Sequence, residues 1–364
     1  MQLSDGISPD HIYQKANKYF MSFKRPLHVD DLLTTVTARR DPGRALDVGC
    51  NDGALLDALQ RHGFGPLMGV EPNRAAAELA RKKGHRVIID FLNANSVKTL
   101  LAEGGPFGTL FMRHVVEHVN ELDDLFDAVR SLLEDDGLLV MELPQVEQGM
   151  AQGNPAVLWE EHVSYFTQAH AEFLLHRQGF DVMDRRVYAF GGGAMAFVAR
   201  KLPAKPIEAT PPAPQAALSL ARAFVENYGR MKEKLRELVE RARARDWKVV
   251  LYGAGGRSCM IVNSAGLSDA LDLVIDDRQD IQGYLLPGTE NHILPFEALE
   301  TLGNTPILCL LGVGAEKEYG VIVKLRALLS RAPVAISLFP PRDTPASLDA
   351  ALAEIKVVDG CNAF

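Results

Sequence analysis

The chain is poor in cysteine. Its four cysteines, Cys50, Cys259, Cys309 and Cys361, stand far apart, and no Cys-x-x-Cys pair occurs. That spacing supports neither a zinc ribbon nor a disulfide framework. A reducing, cytoplasmic location is expected. No apolar run is long enough to span a bilayer and no signal-peptide pattern is present, so no membrane partner is expected. There is no basic excess either. Lys and Arg number 39 against 47 Asp and Glu, for a net charge of −8 and a pI near 5.7, which argues against a nucleic-acid partner. What is present suits a globular protein: 47% apolar and 24% charged residues over 364 positions, about two domains' worth of chain.

One stretch organises the rest: Ala45-Leu-Asp-Val-Gly-Cys-Asn-Asp-Gly-Ala54. Ala45 to Val48 read as a short buried strand, Gly49 and Gly53 bracket a tight turn, and Leu55, Leu56 and Leu59 open an amphipathic helix. A residue without Cβ lets a ligand approach the backbone closely, and the helix N-terminus offers it unpaired N–H groups. A dinucleotide fingerprint would require Gly-x-Gly-x-x-Gly, and Asn51 stands where its second Gly belongs. Asp47-x-Gly49-x-x-x-Gly53 after a strand instead resembles the first motif of class I S-adenosylmethionine (SAM) methyltransferases.

Strands are expected at 45–48, 67–70, 86–89, 107–111, 137–142, 180–188 and 194–199, with helices at 54–62, 73–83, 121–133 and 167–178. This alternation implies a parallel, doubly wound α/β sheet. The last two strands flank Gly191-Gly192-Gly193 with no room for a crossover, so they pair as an antiparallel hairpin. Five prolines between 201 and 215 mark a linker. A helix over 216–244 follows. A second Rossmann-like α/β domain then takes strands at 248–252, 271–275, 306–312 and 334–338. The expected organisation is a helical arm at 1–40, a SAM domain at 41–202, a connector at 203–245 and a C-terminal domain at 246–364. In the arm, Tyr13, Tyr19, Phe20 and Phe23 lie near Lys18, Lys24 and Arg25. They either pack on the core or form a lid over a small-molecule pocket.

Several strand ends carry polar groups. Glu71 follows the second strand, where a carboxylate can accept two hydrogen bonds from a ribose diol. Asp90-Phe91 follow the third, suited to an adenine amino group and base. The fourth runs into Arg113-His114-Val-Val-Glu-His118. Between the fifth strand and the next helix lies Trp159-Glu-Glu-His-Val-Ser-Tyr-Phe166. A His beside a carboxylate there can be a general base. A packing or capping role is the alternative reading for each of these histidines.

These motifs resemble the sugar C-methyltransferases that branch nucleotide-linked deoxysugars. Four stretches carry the likeness: Asp47-Val-Gly-Cys-Asn-Asp-Gly53, Glu142-Leu-Pro144, Glu161-His162-x-Ser-Tyr-Phe166, and the C-terminal set Asn263, Gln282-Gly283 and Pro287-Gly-Thr289. The family usually begins with a small zinc-binding domain built on Cys-x-x-Cys pairs, which this sequence lacks. Relatives usually have Tyr at Trp159 and His at Glu160. The resemblance implies a class I methyltransferase domain plus a Rossmann-like second domain, SAM as cofactor, a nucleotide-sugar substrate and no catalytic metal. It implies SAM contacts from Asp47, Gly49, Asn51, Gly53, Glu71, Asp90, Phe91 and His114. His162 becomes the catalytic base with Glu161 beside it, raising its basicity. His118 or Tyr165 steadies an enolate oxygen. Tyr19 and Trp159 lie against the substrate. The expected reaction adds a methyl to C3 beside a 4-keto group. The rival readings are methyl transfer to oxygen or nitrogen, an NAD-dependent oxidoreductase using Gly253-Ala-Gly-Gly256 and Asp276, and a non-catalytic sugar-nucleotide-binding protein.

Overall fold

The computed structural model describes residues 27–159, 161–206, 208, 210–329, 332–339 and 344–360. The chain divides into two compact bodies. One holds Met1–Gln145, Trp159–Tyr188 and Ala194–Ala213; the other holds Val146–Leu158, Ala189–Gly193 and Pro214–Phe364.

The first body is built on seven strands: β1 (Ala45–Val48), β2 (Leu67–Val70), β3 (Val87–Ile88), β4 (Phe107–Arg113), β5 (Leu133–Pro144), β6 (Phe180–Tyr188) and β7 (Ala194–Lys201). Their order is β3-β2-β1-β4-β5-β7-β6. β7 runs antiparallel to both of its neighbours, and β1 to β5 are parallel. This is the class I methyltransferase sheet with its antiparallel hairpin. Helices cover both faces, so the central strands are almost wholly apolar. Alternation still sorts them: Leu46, Val48, Leu110, Met112, Leu139 and Met141 enter one core, while Ala45, Phe111, Leu138 and Val140 enter the other. The helix His28–Thr37 buries Val29, Leu32, Leu33 and Val36, the one-sided spacing of an amphipathic helix.

The second body has a five-stranded parallel sheet, ordered β10-β9-β8-β11-β12. Its strands are β8 (Lys248–Tyr252), β9 (Leu273–Ile275), β10 (Ile293–Leu294), β11 (Ile307–Leu311) and β12 (Val334–Ser337). The helix Pro214–Arg243 buries Met231, Leu235, Leu238, Val239 and Ala242, all in its second half. The order matches that of β3-β2-β1-β4-β5, so the fold is α/β with two Rossmann-like sheets.

The expected elements form with small differences. β3 has two residues, and β5 starts at Leu133. The helix Ala94–Glu103 and β10 had not been expected. That helix is announced by a capping box, in which the Asn93 side chain accepts from Ser96 N–H and the Ser96 side chain accepts from Asn93 N–H. Of the residues singled out above, Tyr13, Tyr19, Phe20, Phe23, Lys18, Lys24, Arg25 and Glu160 lie outside the described residues. Among the described residues, no helix is long and apolar enough to cross a membrane.

Candidate active site

The strand order reverses at β1, which is flanked by β2 and β4. The C-terminal ends of these strands form the crevice where open α/β sheets hold ligands. Gly49 and Gly53 take φ values of 73° and 80°, and Asn51 takes 49°. A glycine turn relieves that strain at both ends. Gly53 is the N-cap of the helix Ala54–Arg61 and gives it no side-chain cap. Glu71, 6% exposed, fixes the turn from β2: Oε2 accepts the Asn51 N–H at 2.9 Å and Oε1 the Asn73 N–H at 2.7 Å. Each oxygen keeps a second lone pair for a hydroxyl. Asp90 Oδ1 accepts from Phe91 N–H and the Asn93 side chain, and the Phe91 ring is 40% exposed. Asp47 is 3% exposed. Burial pushes its carboxyl up to about 8 against the pull of Arg113, with Glu71 adding to the rise. A rigid glycine turn, a half-engaged buried carboxylate and an exposed ring fit an adenosyl cofactor.

Beside that crevice runs a row of buried charges. Glu142, at the end of β5, is fully buried. It accepts from Arg113 Nε at 2.9 Å and Nη2 at 3.1 Å, from His114 Nε2 at 3.1 Å and from His28 Nε2 at 3.2 Å. Burial would raise this carboxyl, but Arg113 and the two histidines hold it well below the usual carboxylate range. The other His114 nitrogen, Nδ1, meets Glu117 Oε1 at 3.3 Å. An imidazole facing carboxylates through both nitrogens donates twice only as imidazolium. Accordingly, burial disfavours the charged ring, yet Glu117 and Glu142 bring it up to about 9. Glu117, 1% exposed, sits in the 3-10 turn Val116–His118. Burial would raise its carboxyl; the hydrogen bond from His114 and the nearby His118 and His162 rings hold it down.

The loop carrying His162 is tied to that turn. Glu117 O accepts the N–H groups of Val163 at 2.8 Å and Ser164 at 3.0 Å. His118 Nδ1 donates to Glu161 O at 3.0 Å. The His118 and His162 rings meet edge to face, centroids 4.8 Å apart, and the Tyr165 ring lies 5.9 Å from His162. His162 Nδ1 is buried and has no hydrogen-bond partner among the described residues, and the same holds for Glu117 Oε2. Burial drives the His162 imidazole down to about 4, with Glu117 opposing and His118 and His114 assisting. Glu117, His118 and His162 each bring a ligand-capable atom within 4.8 Å of the other two. This is the one grouping of its kind among the described residues.

Two sequence-based roles need correction. Glu161 was expected to raise the basicity of His162. Its carbonyl holds His118 instead, and the carboxylate whose charge acts on His162 is that of Glu117. Tyr165 was expected at an enolate oxygen. Its hydroxyl donates to Trp159 O and accepts from Trp159 N–H, both at 3.0 Å, so its one proton is spent pinning the loop. Trp159 itself is half-buried at the loop's start. Glu117, Glu142, Arg113 and His28 were missed as site residues. For Glu117 a signal existed: it follows His114 by three residues inside a run already full of polar groups.

Residues 17–184 match a methyltransferase domain, and residues 214–311 match a C-methyltransferase C-terminal domain. The C-methyltransferase NovU of Streptomyces niveus is 25% identical over 292 residues, spanning 77% of this chain and 69% of that protein. A ubiquinone biosynthesis O-methyltransferase of Roseobacter denitrificans is 27% identical over 161 residues, 40% of this chain and 63% of its own length. Among solved structures, a SAM-dependent methyltransferase from Archaeoglobus fulgidus is 16% identical. It covers 48% of this chain and 93% of its own, with a TM-score of 0.38. The PH0226 protein from Pyrococcus horikoshii is 17% identical over 54% of this chain and 96% of its own, with a TM-score of 0.40. The chain is a SAM-dependent methyltransferase related to the C-methyltransferase NovU, and SAM is its cofactor.

Proposed function

We propose that the enzyme methylates C3 of a nucleotide-linked 4-keto-6-deoxy sugar, with residues 41–202 as the catalytic domain and His162 as general base. The observation that carries this is the His162 imidazole, enclosed at Nδ1 and kept in its proton-accepting form by burial. Carbon is not nucleophilic until a proton leaves it, so a C-methyltransferase needs such a base. The neighbouring ketone makes that proton acidic. The match of residues 214–311 to the C-methyltransferase C-terminal domain and the Glu161-His162-x-Ser-Tyr-Phe166 run support the substrate class.

In this reading Asp47, Gly49, Asn51, Gly53, Glu71, Asp90 and Phe91 hold SAM, which supplies a methyl on sulfonium sulfur to the carbanion. His162 accepts the C3 proton. The C–H electrons move into the C3–C4 bond and onto the keto oxygen. His118 gives its Nδ1–H to Glu161 O, so it steadies that oxygen through Nε2 as imidazolium, the form that donates from both nitrogens. A base and an oxyanion donor on one rigid loop–turn pair gain from positioning. His114, held as imidazolium between Glu117 and Glu142, keeps the pocket's charge fixed beside the cofactor turn. Trp159 and Tyr19 are assigned to substrate packing.

The test is mass spectrometry of a panel of 4-keto-6-deoxy nucleotide sugars incubated with enzyme and SAM. A product heavier by one methylene with at least one panel member is expected. No gain with any of them, alongside methylation of a non-keto acceptor, overturns the assignment.

A further inference from the structure

We propose that Glu117 is the counter-charge for the proton that His162 accepts, and so the positioning residue for the base. The inference rests on the carbon-acid reading above. When the C3–H bond breaks, its electrons stay on the sugar and the proton goes to the imidazole, leaving a cation in a largely enclosed site. Nothing is oxidised or reduced. That cation needs an anion within reach, and among the described residues the groups facing it are few. From the turn after β4 come Glu117, His118 and His114; Glu142 on β5 acts through His114; from its own loop come the Tyr165 ring and the Glu161 carbonyl, the latter held by His118. Of these only Glu117 brings a carboxylate directly to His162.

The state of its oxygens fits this use. Oε1 is engaged by His114. Oε2 is buried without a partner among the described residues, as is His162 Nδ1. Two such atoms in one cluster are unusual, because buried polar groups are nearly always paired. With Nδ1 enclosed, the substrate proton arrives at Nε2 while the neutral ring carries its one N–H at Nδ1, and the Glu117 carboxylate balances the cation that forms. The row Arg113, Glu142, His114, Glu117 then alternates in sign and ends at the base. His114 keeps Glu117 ionised and oriented while the proton is on the substrate. The cluster's other reading is a divalent-metal site. The His114 imidazolium on the same carboxylate makes Glu117 a poorer ligand for a second cation, so the proton-relay reading is preferred.

The experiment follows C3 hydrogen exchange by NMR. The full-length enzyme is incubated with a 4-keto-6-deoxy nucleotide sugar in heavy water, with S-adenosylhomocysteine in place of SAM. Glu117→Gln is expected to slow exchange by about 10²-fold or more while S-adenosylhomocysteine affinity holds; Tm falls because its buried contact with His114 is broken. Its acid limb moves below the wild-type limb near pH 4, because the charge that raises His162 is gone. Glu117→Asp, charged but retracted, exchanges more slowly than wild type and faster than Glu117→Gln, and it carries the test alone if Glu117→Gln fails to fold. The backbone ties from Glu117 O to Val163 and Ser164 persist in every variant. Wild-type exchange in Glu117→Gln overturns the inference. So does a loss that tracks weaker nucleoside binding with an unmoved acid limb, which marks a merely structural role. Wild-type exchange abolished by a chelator and restored by Zn²⁺ also overturns it, in favour of a metal centre. A wild type that never exchanges C3 overturns the carbon-acid reading itself, and this inference with it.

Discussion

The molecule contains two glycine turns after the first strand of two like-ordered sheets, and they differ in the groups gathered around them. In the first, Glu71 at the end of β2 holds the turn by accepting N–H groups from both sides, and buried titratable groups gather at the neighbouring strand ends. In the second, Asp276 after β9 makes the matching pair of bonds, Oδ2 accepting Ala254 N–H and Oδ1 accepting Arg278 N–H. In both turns the glycines make room for the protein itself: in the first, a Cβ on Gly49 would lie 2.7 Å from Val115 Cγ2 and one on Gly53 2.9 Å from His85 Cδ2, whereas in the second the close neighbour of Gly253 is backbone. A Cβ on Gly253 would lie 2.4 Å from Gly312 O, and one on Gly312 would lie 2.1 Å from Ser258 Oγ, whose hydroxyl donates to Gly312 O at 3.1 Å. Ser258 stands where a dinucleotide fingerprint would place its third glycine. The lesson is that a glycine-rich turn marks close approach by protein as readily as by ligand, and it is the buried titratable groups beside the first turn that set it apart. The second turn closes on β11.

The largest expected effect breaks the comparison on the chemical side. His162→Ala should lose about 10²–10⁴-fold in methyl transfer, the usual contribution of a positioned base, with SAM affinity intact by calorimetry. An equal loss of SAM binding would mean that the histidine shapes the cofactor site. Next is Glu142→Gln, which strips the carboxylate from Arg113, His114 and His28. Breaking a buried ion pair on one side costs about 3–5 kcal/mol, to be read as a lower midpoint in urea. No comparable buried cluster exists among the described residues of the second body, and Asp277, which accepts from Tyr252 and Lys324, is its nearest counterpart. Asp277→Asn should cost far less in the same assay, since exposed pairs contribute little.

Glu71→Ala should weaken SAM binding by about 1.5–3 kcal/mol, the range for hydrogen bonds to a charged group. Asp276→Ala, its positional counterpart, should leave SAM affinity unchanged. A smaller effect concerns pH. Asp47 is raised to about 8 in the fold, so the folded chain holds a proton that the unfolded chain releases. That contribution to stability is fully present below the unfolded value near 4 and is lost as pH rises through 8. Asp47→Asn should therefore flatten the fall in urea midpoint between pH 5 and 9.

Much of this was legible in the sequence because it is local. β1, β2, β6 and β8 take the bounds expected from the sequence, and the hairpin at β6–β7 follows from three consecutive glycines. The helix Ala94–Glu103 escaped notice because it buries only Ser96 and Leu100, too few to give a period. β10 has two residues, and its pairing with β9 is set by the fold. The cofactor turn and Glu71 were readable as residues of a known pattern at strand ends. The partnership of Glu117 with His162 was not, because 45 positions separate them and the backbone bonds from Val163 and Ser164 bring them together. A carboxylate next in sequence, Glu161, was the obvious neighbour, yet adjacent residues in a loop point apart.

The most direct test of the central claim is where the methyl goes. Enzyme, carbon-13-methyl SAM and a 4-keto-6-deoxy nucleotide sugar would be analysed by NMR for the atom bearing the label. The account predicts a labelled methyl bonded to C3, with the C3 proton replaced. A label on oxygen or nitrogen, with the C3 proton retained, would contradict it.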